Sequence, residues 1–304
     1  MLFIINRDKT NPVVFFGKHK ILAWGIIGIL SLGVLIGTYT RFVEPNIINI
    51  NNQTIKINKL EQPLKIAFIA DIQIGNHKKS SWMEKIVKKI ETIKPDLIIW
   101  GGDLIDNEGN TEDESQYLEP ISKLVGRYPM YYIMGNHEYG IGNKTKRNDA
   151  RQTGDRSAEL TARMKKIGVP LLRNQLACHK IKNQTICLFG TDDIWSKPIN
   201  FDELKNWPAS TPIIFLTHNP DGITLWPNEI QKPDFVLSGH THGGQIWLPG
   251  YGPLGRAGVD LGSKYYKGLN YYKNIPIFTS VGIGESGGPV RLFVPPEIAV
   301  IKLQ

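Results

Sequence analysis

Cysteine is nearly missing from this 304-residue chain, which has two, Cys178 and Cys187. Two are too few for a disulfide scaffold or a cysteine-built zinc site. Low-complexity tracts and internal repeats are lacking after residue 40. Hydrophobic residues make 41% of the chain, an ordinary globular share once glycine is added, so collagen-like and disordered classes are excluded. The length fits one large domain or two small ones. Acidic residues are in deficit: 36 Lys+Arg against 28 Asp+Glu leave a net charge of +8. Residues 1–40 hold Arg7, Lys9, Lys18 and Lys20 against Asp8 alone, and the remaining excess is spread over the rest. It forms no basic stripe with interleaved aromatics, so no nucleic-acid partner is expected. The balance suits anionic head groups and phosphorylated substrates instead.

Residues 21–40 carry no charge, with Trp24 and Tyr39 near the two ends. A helix of that length, at about 1.5 Å per residue, spans a bilayer core of about 30 Å. A buried core helix would show a polar stripe. A cleaved signal peptide would have an apolar region of about 7–15 residues ending in small residues, whereas this run continues into Tyr39, Arg41 and Phe42. We therefore expect a short basic segment over 1–20, a single-pass transmembrane anchor over 21–40 and a folded domain over 43–304, in a bacterial inner or cytoplasmic membrane. Gly33 and Gly37 give a GxxxG spacing, a weak dimer signal that leaves the oligomeric state open. Arg41, Lys56 and Lys59 follow the span. Four basic residues before it against three after tilt the main domain outward without deciding its side.

Beyond the span, Ile47–Ile50 and Thr54–Ile57 alternate around Asn51-Asn52-Gln53, which reads as a hairpin. Apolar strands over 64–70, 97–100 and 130–134 alternate with helical patterns over 81–94, 115–125 and 157–167. This order implies a largely parallel, helix-covered sheet. Short strands near 171–172, 176–181, 185–190, 212–216, 234–237, 245–248, 275–281 and 297–302 suggest a second sheet. The expected architecture is an α/β/β/α sandwich. A Lys182-Asn183 turn would set Cys178 against Cys187. The geometry permits a cross-strand disulfide, but two unpaired core thiols are the expectation.

Five polar clusters follow expected strands: Asp71-Ile72-Gln73, Gly101-Gly102-Asp103-Leu104-Ile105-Asp106, Gly135-Asn136-His137-Glu138, Thr217-His218-Asn219 and Gly239-His240-Thr241-His242-Gly243-Gly244. Sites in open α/β sheets gather at the carboxyl ends of strands. A lone His is usually structural, and a carboxylate after a strand is as often a helix cap. Five such clusters together point to ligands. Asp, Asn and His without Cys favour divalent ions such as Mn, Fe or Zn. Two such ions, about 3.5–4 Å apart, clamp attacking and leaving oxygens at phosphorus.

In this order the clusters resemble the calcineurin-like metallophosphoesterase superfamily, over residues from about 64 to 302. The resemblance implies that sandwich of two mixed sheets and a two-metal hydrolase. Asp71, Gln73, Asp103 and His242 would hold the first ion. Asp103 would bridge to a second held by Asn136, His218 and His240, with His137 as general acid or charge stabiliser. Asp106 would orient neighbours or cap. Position 73 is usually His in the family; Gln is a harder, neutral ligand that favours Mn or Mg. Asp-x-Gln does occur in a branch resembling the manganese-dependent ADP-ribose/CDP-alcohol diphosphatases.

Gly243-Gly244-Gln245, Lys264–Leu269, Gly282-Ile283-Gly284, Pro289-Val290-Arg291 and Pro296-Glu297-Ile298 resemble the YkuE-like branch, whose members carry an N-terminal membrane segment. Proteins similar to that branch include a UDP-2,3-diacylglucosamine pyrophosphatase of lipid A synthesis. The implied substrate is a phosphoester or pyrophosphate on a lipid-linked molecule. The alternatives are a phosphodiesterase or phosphatase for soluble nucleotides or exported phosphoesters, and an inactive metal-binding membrane scaffold. The Gly-rich stretch 282–288 reads either as a surface turn or as a loop whose amides, with Arg291, contact the substrate phosphate. The basic loop with Lys144, Lys146, Arg147, Arg151 and Arg156 reads as solvated or as a lid.

Overall fold

In the computed structural model, which describes residues 12–109, 112–142 and 154–304, the uncharged run belongs to one helix, α1 (Pro12–Thr38). It starts nine residues before the expected span. Arg7, Lys9, Lys144, Lys146, Arg147 and Arg151 lie outside the described residues. Leu22, Trp24, Ile29, Leu30 and Val34 are exposed along α1, and the helix is long and apolar enough to cross a membrane. A π-helical turn, Tyr39–Val43, and a 3-10 turn, Glu44–Asn46, lead straight into the first strand.

The expected hairpin is instead one continuous strand, β1 (Asn49–Ile55). Its polar Asn-Asn-Gln centre is tolerated because β1 is an edge strand, paired in parallel with the final strand, β13 (Glu297–Leu303). Asn51 Nδ2 donates to Glu297 Oε2 at 2.8 Å, which satisfies the amide that read as a turn. β13 also pairs antiparallel with β2 (Leu64–Ile69), so it joins the first sheet, contrary to the expectation that 297–302 belongs to the second. That sheet runs β1-β13-β2-β3-β4, with β3 at Leu97–Trp100 and β4 at Met130–Tyr132. α2 (Ser80–Ile93) and α3 (Ser157–Ile167) cover its outer face. Between them Glu114–Leu124 is 3-10, not α. Pro120 sits inside it and cannot donate the α-helical hydrogen bond.

The second sheet runs β11-β12-β8-β7-β6-β5. Its strands are β5 (Gln175–Ile181), β6 (Gln184–Gly190), β7 (Ile213–Leu216), β8 (Phe235–Ser238), β11 (Gly268–Tyr272) and β12 (Ile275–Thr279). A small hairpin, β9 (Trp247–Leu248) and β10 (Gly252–Pro253), stands apart. The segment near 171–172 contributes one bridge, Leu171 to Tyr132. Period-2 alternation builds the layers. Ile66 and Phe68 face the layer between the sheets, while Ala67 and Ile69 face the helices. Leu188 likewise points inward while Phe189 packs outward with Trp207 and Trp226. The fourth layer is made of 3-10 turns, Asp202–Asn206, Pro220–Leu225 and Ser263–Tyr266.

Cys178 and Cys187 form a disulfide, contrary to the expectation of two free thiols. Lys182 and Asn183 both have positive φ (50° and 62°), so the two-residue turn fixes a register that opposes the cysteines. Closing so short a loop is worth about 2–3 kcal/mol in the chain-entropy account. Cys178→Ser is therefore expected to lower urea-unfolding stability by about that amount. Thiol titration of the denatured, unreduced wild type should find no free sulfhydryl; two would refute the bond.

Candidate metal centre

The expected ligands all leave the carboxyl ends of strands. Asp71 and Gln73 follow β2, Asp103 follows β3, Asn136 and His137 follow β4, His218 follows β7, and His240 and His242 follow β8. The turns are strained. Asp71, Gln73, Asp103, His240 and His242 have φ between 49° and 72°, a region L-residues avoid and functional sites often use. One glycine is required by close approach: a Cβ on Gly135 would lie 2.2 Å from Asp103 Oδ1 and 2.8 Å from His218 Nε2.

All seven expected ligands are buried. Asp103 Oδ2 lies 3.0 Å from His218 Nε2 and 4.0 Å from His137 Nε2. Gln73 Nε2 donates to the same oxygen at 3.2 Å. Asp71 Oδ1 lies 3.6 Å from His242 Nε2 and 3.9 Å from His218 Nε2, and both Asp71 oxygens accept the His240 amide. Asp71, Asp103 and His242 form one group whose ligand atoms lie within 4.8 Å; Asp103, His218 and His240 form another. Asp103 is common to both. Asp106, Glu108 and His137 make a third, adjoining group.

Each imidazole gives one nitrogen to a backbone carbonyl, which fixes the ring and frees the other nitrogen. His218 Nδ1 bonds Gly101 O at 2.8 Å and His242 Nδ1 bonds Gly284 O at 3.1 Å. His240 Nε2 bonds Ala257 O at 2.8 Å. His137 Nδ1 bonds Asp106 O at 2.6 Å.

Gln73 Oε1 is buried without a hydrogen bond, and the freed His218 Nε2 meets the Asp103 carboxylate, 3.0 Å away. Burial, reinforced by the charge on His218, pushes His240 down to about 3, so the ring is neutral. With its proton on Nε2, the bare Nδ1 of His240 faces Asn136 Oδ1 at 2.8 Å, while Asn136 Nδ2 is committed to Ile141 O. Two acceptors at that distance repel unless a cation lies against both. The donor set thus fits divalent ions.

Surrounding residues hold these groups in place. Glu138 is fully buried and accepts the amides of Asp103, Leu104, Ile105 and Gly135, clamping two ligand turns together. Burial raises its carboxyl to about 7, with Asp103 adding to the shift. Its role was not evident from sequence, although its place inside Asn-His-Glu was. Trp195 packs edge-on against His240 at 4.4 Å, and no motif announced it. Asp106 does act on its neighbours, through its carbonyl bond to His137 and its carboxylate bond to Asn76 Nδ2.

A cleft of about 190 Å³ opens over the cluster, lined among others by His137, Gln245, Arg256 and Ser286. Arg291 does not reach it. That side chain is 0% exposed, and it donates to Glu285 Oε1 and to the carbonyls of Val281, Gly284 and Val294. The expected phosphate contact is therefore a buried brace for loop 281–294. Among the described residues that line the cleft, Arg256 is the arginine; an exposed Arg outside any motif gave no sequence signal. Of the basic loop, Arg156 donates to Glu112 O and lies away from the cleft lining.

The same loop is tied to the end of the apolar helix. Arg291 N donates to Thr40 O at 3.0 Å, and Val294 N donates to Glu44 Oε1 at 2.6 Å. Lys78 Nζ bridges Pro45 O, Ile283 O and Glu285 Oε1 at 2.9–3.0 Å. Burial lowers the Lys78 ammonium to about 8, against the pull of Glu285.

The sequence pattern of calcineurin-like phosphoesterases matches residues 64–244. An uncharacterized metallophosphoesterase of Helicobacter pylori is 30% identical over 276 residues, 88% of this chain and 66% of that protein. The chain thus spans just under two thirds of that relative's length. The uncharacterized metallophosphoesterase YkuE of Bacillus subtilis is 28% identical, over 92% of this chain and 95% of its own. The phosphodiesterase YaeI of Escherichia coli is 31% identical, over 79% and 82%. Among solved structures, a dimetal phosphatase from Danio rerio is similar at a TM-score of 0.43 and 10% identity, covering 72% of this chain and 88% of that one.

Proposed function

Because the chain belongs to the calcineurin-like phosphoesterase family, we propose that it is a membrane-anchored hydrolase of phosphoester or pyrophosphate bonds. One observation carries this: a single carboxylate, Asp103, is shared by two buried ligand groups at the floor of an open cleft. Asp71, Gln73, Asp103 and His242 would hold one divalent ion, and Asp103, Asn136, His218 and His240 the other. Bound there, two ions supply Lewis-acid activation at phosphorus and a hydroxide near neutral pH. Mn is the proposed pair, with Fe or Zn as alternatives.

His137 would act at the leaving oxygen. Its Nδ1 is committed to Asp106 O, so its Nε2 is the atom free to carry a proton into the cleft. Burial opposes charging this ring, but Asp103 and the Asp106 carbonyl outweigh it and raise the imidazole above its ordinary value. As hydroxide oxygen bonds to phosphorus and the bond from phosphorus to the leaving oxygen breaks, Nε2–H would pass its proton to that oxygen and leave the ring neutral.

For the substrate, the resemblance to the YkuE-like branch supports a lipid-linked molecule such as UDP-2,3-diacylglucosamine, which an anchored site would meet at high effective concentration. The Cys178–Cys187 bond supports a second reading, an exported phosphoester, because disulfides persist in oxidising compartments. A reporter fused after Gln304 decides between them: an external reporter removes the cytoplasmic UDP-lipid.

The test of activity is hydrolysis of bis-p-nitrophenyl phosphate by the full chain with Mn, abolished in His242→Ala. No turnover with Mn, Fe, Co or Zn would leave the scaffold reading. Gln73→His is expected to retain or raise activity and to shift the order of metal preference, measured as rate against each metal; an unchanged order would show that Gln73 is not a ligand.

A further inference from the structure

We propose that the face beside the cleft is a membrane-docking collar: Tyr251, Leu254 and Phe293 lie in the head-group layer of the bilayer that α1 crosses. The inference rests on the membrane reading of α1, and it adds where the cleft sits. Large apolar side chains normally turn inward, and a cluster of exposed ones marks a contact surface. Tyr251 is 77% exposed, Phe293 58% and Leu254 50%.

The segments that carry these three residues are joined through the backbone. Leu254 N donates to Ile246 O at 2.9 Å, Ile246 bridges Leu292, and Trp247 N donates to Leu292 O at 2.9 Å. Laterally paired segments lie about 4.8 Å apart, so the hairpin β9–β10 and residues 291–293 make one narrow shelf. Phe293 is pinned on it with φ 59°, a costly conformation for an aromatic residue.

The occupant follows from what adjoins the shelf. Residue 291, two before Phe293, donates its amide to Thr40 O, in the π-turn that ends α1. Phe42, Val43 and Ile47, which follow α1 and lie on either side of the Glu44 that accepts the Val294 amide, are also exposed. Amphipathic rings at a helix exit are the usual mark of the interface. Basic groups accompany them: the Arg41 guanidinium lies over the Phe42 ring, and Lys267 Nζ lies 3.7 Å from the centroid of Trp247. Apolar tips interleaved with cations fit an anionic bilayer surface better than another protein. Gly255, Arg256 and Ala257, which follow Leu254 directly, line the cleft. A collar docked in this way opens the site toward lipid head groups.

Depth measurement on the full chain tests this without calling on activity. Single cysteines at Tyr251, Leu254 and Phe293 carry a nitroxide, since Cys178 and Cys187 are already paired. Leu30→Cys reports on the helix. Asn183→Cys, in the exposed turn at the opposite end of the second sheet, is the aqueous control. In vesicles of phosphatidylcholine and phosphatidylglycerol, the ratio of collision with oxygen to collision with a water-soluble nickel complex should be severalfold higher at 251, 254 and 293 than at 183. A high ratio at 30 with ratios at 251 and 254 equal to 183 overturns the collar and leaves the anchor standing. Labels at the shelf shielded from both reagents would show a protein partner and overturn it as well. A low ratio at 30 removes the anchor and the collar together, while the phosphoesterase reading is judged separately by its own assay.

Discussion

Asp103→Asn is expected to reduce kcat/KM below detection while the protein stays folded. Losing a partner that merely orients a ligand costs about 10–100-fold in metal affinity or activity, so losing the carboxylate common to both ligand groups should exceed about 1000-fold. The substitution keeps volume and one oxygen. That oxygen can still accept the His137 amide, which Asp103 Oδ1 accepts at 2.9 Å. It cannot keep the negative charge, and its NH2 would face Gln73 Nε2, already a donor at 3.2 Å. The decisive readout is thermal unfolding with and without Mn. A ligand bound only by the folded state at 100 times its Kd stabilises by about 2.7 kcal/mol. Wild type should show such an increment and Asp103→Asn little of it, with matching metal-free melting curves. Metal-dependent stabilisation that survives in the variant would refute Asp103 as a shared ligand.

His137→Gln should cut kcat by about 10²–10⁴-fold, the range for a positioned general acid, and leave both metals bound. His137 lines the cleft, as His240 and His242 do, and its Nε2 lies 3.5 Å from Ser286 Oγ. The loss should be smaller with p-nitrophenol as leaving group than with an alkyl alcohol, because an acidic leaving group needs less protonation. Metal analysis beside both rates separates the roles. If the variant loses an ion, His137 is a ligand. If both substrates slow equally, it stabilises charge and does not donate a proton.

The site was more legible in the sequence than its supports. Strands buried on both faces, such as Ile66–Ile69 and Ile213–Leu216, read as apolar runs, and each ended at a polar cluster with ligand chemistry. These are local signals. β1 was misread because its meaning is non-local: Asn51 looks like a turn until Glu297, 246 residues away, accepts its amide. Arg291 was misread for a related reason. Arginine beside glycines suggests an anion, and only the fold shows Glu285 and four carbonyls closing around the guanidinium. The disulfide depended on register, and the Lys182-Asn183 turn held that information without excluding two thiols.

The bonds from Thr40, Glu44 and Pro45 to the loop beside His242 leave no slack between helix and site. On the membrane reading, the cleft stands at a fixed height and samples substrate in two dimensions. Its rate would then follow the mole fraction of substrate in the bilayer, not its amount per volume of solution. Diluting a lipid substrate with inert lipid would slow such an enzyme, while diluting the whole suspension with buffer would not.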